Sequence, residues 1–325
     1  MPHSGHTESR RHPASLIELP EFCRELVQQP GPLIGWHDAC ISYYMLASIN
    51  TKQGWLARLE LEFERRADAT ILVRRSHIGP LRVQKPLYPE GREICHALLL
   101  HPPAGIAGGD ELEISAAVAD GAHALLTTPG AGKWYRSASP WASQQLNFDV
   151  GAGAVLEWLP QESIVFDGAL ANMQMQVSLA EKACFIGWEI LCLGRRASGE
   201  RFSSGTMRVS TRIERGGKPV WLERGVLEGG SRLLQSPVGF AGYSVSATLW
   251  ATGEGIDSVL LAECRKLMPT EEGALYGLTL LPNVLVARYL GDSAEDARMW
   301  MIGLWRILRP TLVGREAQIP RIWNT

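Results

Sequence analysis

Successive stretches of this chain alternate apolar and polar residues with a period of two, and glycine- and aspartate-rich turns separate them. Trp55, Ala57, Leu59, Leu61 and Phe63 take one parity, while Arg58, Glu60, Glu62 and Glu64 take the other. Leu112, Ile114, Ala116 and Val118 alternate with Glu111, Glu113 and Ser115, and Met173, Met175, Val177 and Leu179 alternate with Asn172, Gln174, Gln176 and Ser178. Met207, Val209 and Ile213 likewise oppose Arg208, Ser210 and Arg212. Side chains on a strand point to opposite faces in turn, so each run predicts a strand with one face on a core and the other in water. Gly108-Gly109-Asp110, Asp120-Gly121, Asp167-Gly168, Gly216-Gly217 and Gly229-Gly230 supply the turns. Many short strands joined in this way predict a mainly β architecture. Helical patterns do not alternate with the strands, which excludes a doubly wound α/β fold.

Helices are expected late in the chain. Residues 257–268 fit three turns ending before Pro269, and residues 294–309 are the strongest candidate. Ser293 and Asp296 make a capping-box-like start, and Pro310 is expected to stop the helix. Ala297, Met301, Leu304 and Leu308 form a helical stripe widened by Trp300 and Trp305. That stripe reads as core, with a partner-facing patch that includes Trp323 as the alternative. The 46% hydrophobic content is enough to bury a core without disulfides. Residues 45–325 are expected to form one β-rich domain. Residues 1–44 carry His3, His6, His12 and several prolines without periodicity, and read as a flexible N-terminal extension; Met45 is an alternative native start.

Lys and Arg number 32 against 34 Asp and Glu, a net charge of -2, which gives no footprint for nucleic acid or an anionic membrane. The six cysteines (Cys23, Cys40, Cys95, Cys184, Cys192 and Cys264) contain no CxxC pair and read as reduced, buried thiols. No apolar run approaches the ~18 residues of a membrane span, and no export signal opens the chain. The expectation is a soluble, cytoplasmic protein.

Several segments imitate catalytic motifs and fail. PGAGKWYRS at 129–137 suggests a phosphate loop, but Thr127 stands at the first glycine position and Trp134 follows Lys133 where a hydroxyl must hold magnesium. GYSVS around Ser244 lacks the last glycine of a nucleophile elbow. Cys95, His96 and His101 are the densest group of soft donors, yet their parities disagree along a strand, which argues against a closed metal cage. What remains is a set of carboxylates in apolar segments: Glu157 in VLEWLP, Asp167 in IVFDG, Glu189 in IGWEILCL and Glu223 in VWLERG. A carboxylate in such surroundings must be hydrogen-bonded, paired or hydrated. Two readings stay open: ion pairs with Lys133, Arg136, Arg195, Arg196 or Arg224, or a wet interior passage whose oxygen donors hold a divalent cation weakly enough to release it.

Four blocks carry a family resemblance. LLLHPPAGIAGGD (98–110), LLTTPGAGKWYRS (125–137), LEWLPQESIVFDGA (156–169) and ILCLGRRASGERF (190–202) follow one another as the signature blocks of UreD-type, also called UreH-type, urease accessory proteins do. The closing LRPTLVGREAQIPRIWNT is similar to the family's C-terminal end, and the resemblance runs from about residue 54 to 325. It implies a β-helix-like, two-layer arrangement of many short strands with a few helices, and a non-enzymatic role as a scaffold and nickel conduit in urease maturation. The partners implied are the urease apoprotein, a UreF-type protein with a UreG-type GTPase and, indirectly, a UreE-type nickel carrier. No cofactor is held permanently; nickel is cargo in transit. The missing phosphate loop fits, since GTP hydrolysis belongs to the partner. By this resemblance Asp110, Glu189 and Glu223 are the first candidates for the polar lining of the passage, with Asp167 and Glu157 next. Gly132 and Glu189 stand where relatives are expected to differ, while Lys133, Tyr135 and Arg136 either serve the interface or neutralise the carboxylates. The competing role is a docking subunit that remodels the apoprotein without conducting nickel. An unrelated β-rich hydrolase is disfavoured by the lack of a nucleophile, base and orienter at recognisable spacing.

Overall fold

A computed structural model describes residues 54–324. The expected extension 1–44, with His3, His6, His12, Cys23 and Cys40, and the alternative start Met45 lie outside the described residues. The chain opens with β1 (Leu56–Arg66), β2 (Ala69–Ile78), β3 (Arg82–Val83) and β4 (Ile94–Leu100). It continues through β5 (Glu111–Val118), β6 (His123–Thr127), β7 (Gly132–Trp134), β8 (Ala142–Val150), β9 (Val155–Leu159) and β10 (Ser163–Val165). Then come β11 (Leu170–Leu179), β12 (Cys184–Leu193), β13 (Thr206–Arg215) and β14 (Lys218–Glu228), followed by the short helix α1 (Arg232–Gln235). The last part holds β15 (Val245–Thr252), α2 (Ser258–Lys266), β16 (Leu275–Leu281), β17 (Val284–Gly291) and α3 (Ala294–Val313).

The strands build two sheets. One has the order β14-β13-β11-β8-β5-β1-β2, and the other the order β16-β17-β15-β12-β9-β6-β4-β3 with β7 and β10 paired beside β12. From β4 to β13 the chain passes back and forth between them, so that β5, β8, β11 and β13 stack in parallel in one sheet and β4, β6, β9 and β12 in the other. This is the solenoid-like coil that the resemblance implies. Turn residues permit the tight corners: Gly168, between β10 and β11, has φ 78°.

The alternation seen in the sequence faces the space between the sheets. Leu59, Leu61 and Phe63 of β1, Leu112 and Ile114 of β5, and Met173 and Val177 of β11 belong to one continuous inter-sheet core. Trp55 departs from its predicted parity set: it precedes β1 and is 52% exposed. The outer face of the second sheet is apolar as well, because α2 and α3 cover it. Ile186, Trp188, Ile190 and Leu249 pack there against Met301, Leu304, Trp305 and Leu308. The tryptophan-rich stripe of α3 is therefore core. Asp257 caps α2, and the Ser293 hydroxyl of α3 accepts the Asp296 amide at 3.1 Å. Pro310 does not end α3, contrary to expectation. It forfeits one hydrogen bond, but the helix runs on to Val313 and stops at Gly314, whose φ of 71° is favoured only by glycine. Among the described residues no helix is long and apolar enough to cross a membrane, and Cys95, Cys184, Cys192 and Cys264 are free and buried.

Candidate functional site

Two prolines open a window in the second sheet. β6 ends at Thr127 and β9 at Leu159, and each is followed by a short loop containing Pro129 or Pro160 before β7 and β10 resume at Gly132 and Ser163. Proline has no N–H to donate, so neither ladder continues through these loops. β12 has no proline and runs straight past. It pairs with β9 over Cys184–Gly187 and with β10 over Leu191–Leu193, which leaves Trp188, Glu189 and Ile190 without strand partners on that side. Phe185, Leu191 and Leu193 face the inter-sheet core while Ile186, Trp188 and Ile190 face the helices. The period of two then directs Glu189 between the sheets, at the level of the window.

Two cavities meet at this carboxylate. One, of about 260 Å³, is walled by Ile114, Gln144, Met173 and Met175 from the first sheet and reaches the window at Pro129 and Gln161. The other, of about 390 Å³, extends between β13–β14 and β15–β17 and is lined by Thr211, Glu223, Thr248, Tyr276 and Arg288. Glu189 lines both, and no hydrogen bond or ion pair to a described residue engages it. Burial, reinforced by the charge of Glu223, pushes its carboxyl up to about 7. Glu223 itself accepts from Arg288 Nη2 at 2.7 Å. Lys133 of β7 lines the first cavity. On the helix side, Arg298 of α3 spans the window loop, donating to Gln161 Oε1 at 2.7 Å and Glu162 Oε2 at 3.3 Å.

The other three predicted carboxylates lie elsewhere and serve the fold. Glu157 has the opposite parity to Leu156 and Trp158 and turns toward α3. There it is fully buried and takes His123 Nε2 at 2.7 Å, Trp305 Nε1 at 2.6 Å and the Arg309 guanidinium at 3.0 Å. Burial alone would raise its pKa, but His123 and Arg309 outweigh it and hold the group at about 2. Asp110 accepts the Trp55 amide on one oxygen and the Ala107 amide on the other, both at 2.8 Å. Asp167 binds the Ser203 and Ser204 amides at 2.8 Å and both hydroxyls, with Arg136 Nη2 at 3.5 Å. Against a desolvation penalty, these serine donors lower its pKa. Asp110, Glu157 and Asp167 therefore do not join Glu189 and Glu223 at the cavities; their oxygens are occupied by protein donors.

The partners also differ from those the sequence offered. Arg309 holds Glu157 and Arg288 holds Glu223, whereas Arg195 pairs with Glu200 and Arg196 with Asp292. Only Arg136 meets an expected acid, Asp167. Tyr135 is 36% exposed and stacks edge-on against Phe166. The false phosphate loop includes strand β7. His96 pairs with Glu90 at 2.7 Å while Cys95 faces the inter-sheet core, so the two point to opposite faces of β4. Among the described residues no group of three or more His, Cys, Asp or Glu is placed to hold a metal ion. Sequence reasoning passed over Gln144, whose inward parity beside Ala142, Leu146 and Phe148 marks it as a polar intrusion in the core. It passed over Arg309 too, one turn beyond Trp305 on the buried stripe.

Comparison with known proteins gives a consistent result. The family model for the UreD urease accessory protein matches residues 56–324. A urease accessory protein UreD from Dechloromonas aromatica is 55% identical over 277 residues, covering 83% of this chain and 95% of that protein. One from Azoarcus sp. is 54% identical, covering 84% and 95% respectively. One from Pseudomonas aeruginosa is 51% identical over 281 residues, covering 86% and 99%.

Proposed function

The chain belongs to the UreD family of urease accessory proteins, and from its role in urease maturation we propose that it is a nickel conduit and scaffold for GTP-dependent activation. In this reading it bridges a UreF–UreG complex and the urease apoprotein in the cytoplasm, with a UreE-type carrier supplying nickel upstream. The chain performs no catalysis of its own. Nickel enters the space between the sheets, passes Glu189 and leaves toward the apoprotein.

The observation that carries this proposal is Glu189, an unpaired interior carboxylate common to two cavities. An acid in that position is tolerable because its raised pKa, about 7, lets it take up a proton near neutral pH when the route is empty. It can ionise when a dication arrives, exchanging a proton for the metal's charge. Oxygen ligands and retained water keep binding weak, as transfer requires. Glu223, paired with Arg288 in the second cavity, is the next polar station.

The test is nickel loading of urease apoprotein by assembled complexes carrying Glu189→Leu or Glu223→Leu. Retained assembly with loading slowed by about tenfold or more is expected from the loss of an interior charge. Loading at the wild-type rate would leave the second reading, a docking subunit that opens the apoprotein while nickel takes another route. That reading draws support from Asp110, Glu157 and Asp167, all spent on structural bonds.

A further inference from the structure

A route lined by carboxylates alone would be a poor filter. Carboxylate, carbonyl and water ligands suit Mg2+ and Ca2+ as readily as a transition metal. The first cavity holds donors of another kind. His101 lines it, and the ring Nε2 is buried without a hydrogen-bond partner. Met173 and Met175 lie two apart on β11, so both thioethers face the same wall, and each retains 7% exposure on a face where Ala171 and Val177 have none. Gln144 reaches the cavity from β8. Glu189 approaches from the other sheet.

Two of these groups are anomalous as core, His101 and Gln144. An imidazole nitrogen buried without a partner forfeits the hydrogen bonds it makes in water, and a glutamine at an inward position does the same unless something else satisfies it. Desolvation lowers the pKa of His101, opposed by the charge of Asp110, a balance that favours the neutral ring. Imidazole suits first-row dications such as Ni2+, thioethers suit softer ions still, and neither is a ligand of choice for Mg2+ or Ca2+.

We propose that His101, Met173 and Met175, with Glu189 supplying the charge, form a transient station that selects Ni2+-like dications over Mg2+ and Ca2+ inside the cavity. The station rests on the conduit reading and adds selectivity to it. Two neutral thioethers and one imidazole make an open, weak set rather than a closed cage, which suits passage rather than storage.

The test uses the full chain in its assembled complex. Nickel loading of apoprotein is followed with and without millimolar Mg2+ for the wild type, His101→Ala, the Met173→Leu/Met175→Leu pair and Glu189→Leu. The leucines conserve volume, so the paired variant keeps the test open if the histidine variant misfolds. The wild type is expected to load at the same rate in Mg2+, while either station variant slows about tenfold or more there, since losing even a ligand's outer-shell partner costs about 10–100-fold. In parallel, protein with 13C-labelled methionine methyls is titrated with Ni2+ alone. The Met173 and Met175 signals should broaden first in the wild type and at higher Ni2+ in His101→Ala, whereas Mg2+ should leave them unchanged. Full Mg2+ resistance and unchanged broadening in the station variants, with Glu189→Leu still blocked, would overturn the station and leave the conduit standing. Wild-type loading by Glu189→Leu would remove the conduit and the station with it.

Discussion

Arg309 of α3 and Glu157 of β9, 152 positions apart, form an ion pair that no water reaches, with both side chains 0% exposed. The guanidinium presents Nε to Glu157 Oε2 and Nη2 to Oε1, each at 3.0 Å, and also reaches Glu90, at 2.5 Å through Nη1 and 2.9 Å through Nη2. The Glu316 carbonyl accepts from it as well. His96 closes on Glu90, and His123 and Trp305 close on Glu157. Arginine suits this position because its planar fork can serve two carboxylates at once. The network fastens the C-terminal helix to the outer face of the second sheet, and every charge in it has a partner.

Breaking one side of that pair should be costly. Glu157→Gln or Arg309→Met leaves a buried charge under-compensated, with an expected loss of about 3–5 kcal/mol. The double variant Glu157→Gln/Arg309→Met should lose clearly less than the sum of the singles, because the residues act together. Urea unfolding midpoints decide both points; additive losses would show that the pair is not coupled.

The same carboxylate sets an acid limit. Glu157 is held at about 2 against an ordinary 4.5, so the folded state binds its proton less readily than the unfolded chain. The stability it contributes is complete above the unfolded value and is lost as the pH falls from 4.5 toward 2. In Glu157→Gln the fall in stability over that window should be shallower than in the wild type. Parallel slopes in a pH series of unfolding curves would contradict the assignment.

Glu189 should behave in the opposite sense. Its folded value of about 7 lies above the ordinary 4.5, so stability from this group is present at low pH and falls as the pH rises between those values. Glu189→Gln should therefore stabilise the metal-free protein at pH 8, by about 1 kcal/mol after allowing for screening by cavity water, and match the wild type near pH 4.5. A variant less stable than the wild type at pH 8 would mean that the carboxylate has a stabilising partner.

Asp110 should prove to be a structural residue. Its two oxygens tie the amides of Trp55 and Ala107, drawing the chain so close that a Cβ at Gly54 would stand 2.0 Å from the Gly109 carbonyl oxygen. Asp110→Ala orphans both amides and should cost about 1–3 kcal/mol, while nickel delivery per folded molecule stays at the wild-type level. A specific loss of delivery without a loss of stability would return Asp110 to the lining of the proposed conduit.

The fold was legible because its strands are locally periodic. Leu112, Ile114, Ala116 and Val118 declare their face without reference to any other part of the chain, as do Met173, Met175, Val177 and Leu179. The end of α3 was not legible from Pro310, because one lost hydrogen bond is outweighed by a helical face buried as far as Arg309 and by the partial burial of Leu312 and Val313 beyond it. For the site, the sequence could mark an acid in apolar surroundings but not the surroundings' other half.

Glu157 and Glu189 look alike in sequence, each a lone carboxylate within a buried strand. Residue order and side-chain chemistry by themselves determined that both would be interior and that each required a partner or water. Only the assembled structure decided which had which: β9 turns Glu157 toward Arg309, while prolines at positions 129 and 160 leave Glu189 facing two cavities without an ion pair to any described residue. Strand parity is set by neighbours two residues away, but charge compensation comes from wherever the chain returns in space, and no local pattern encodes that return.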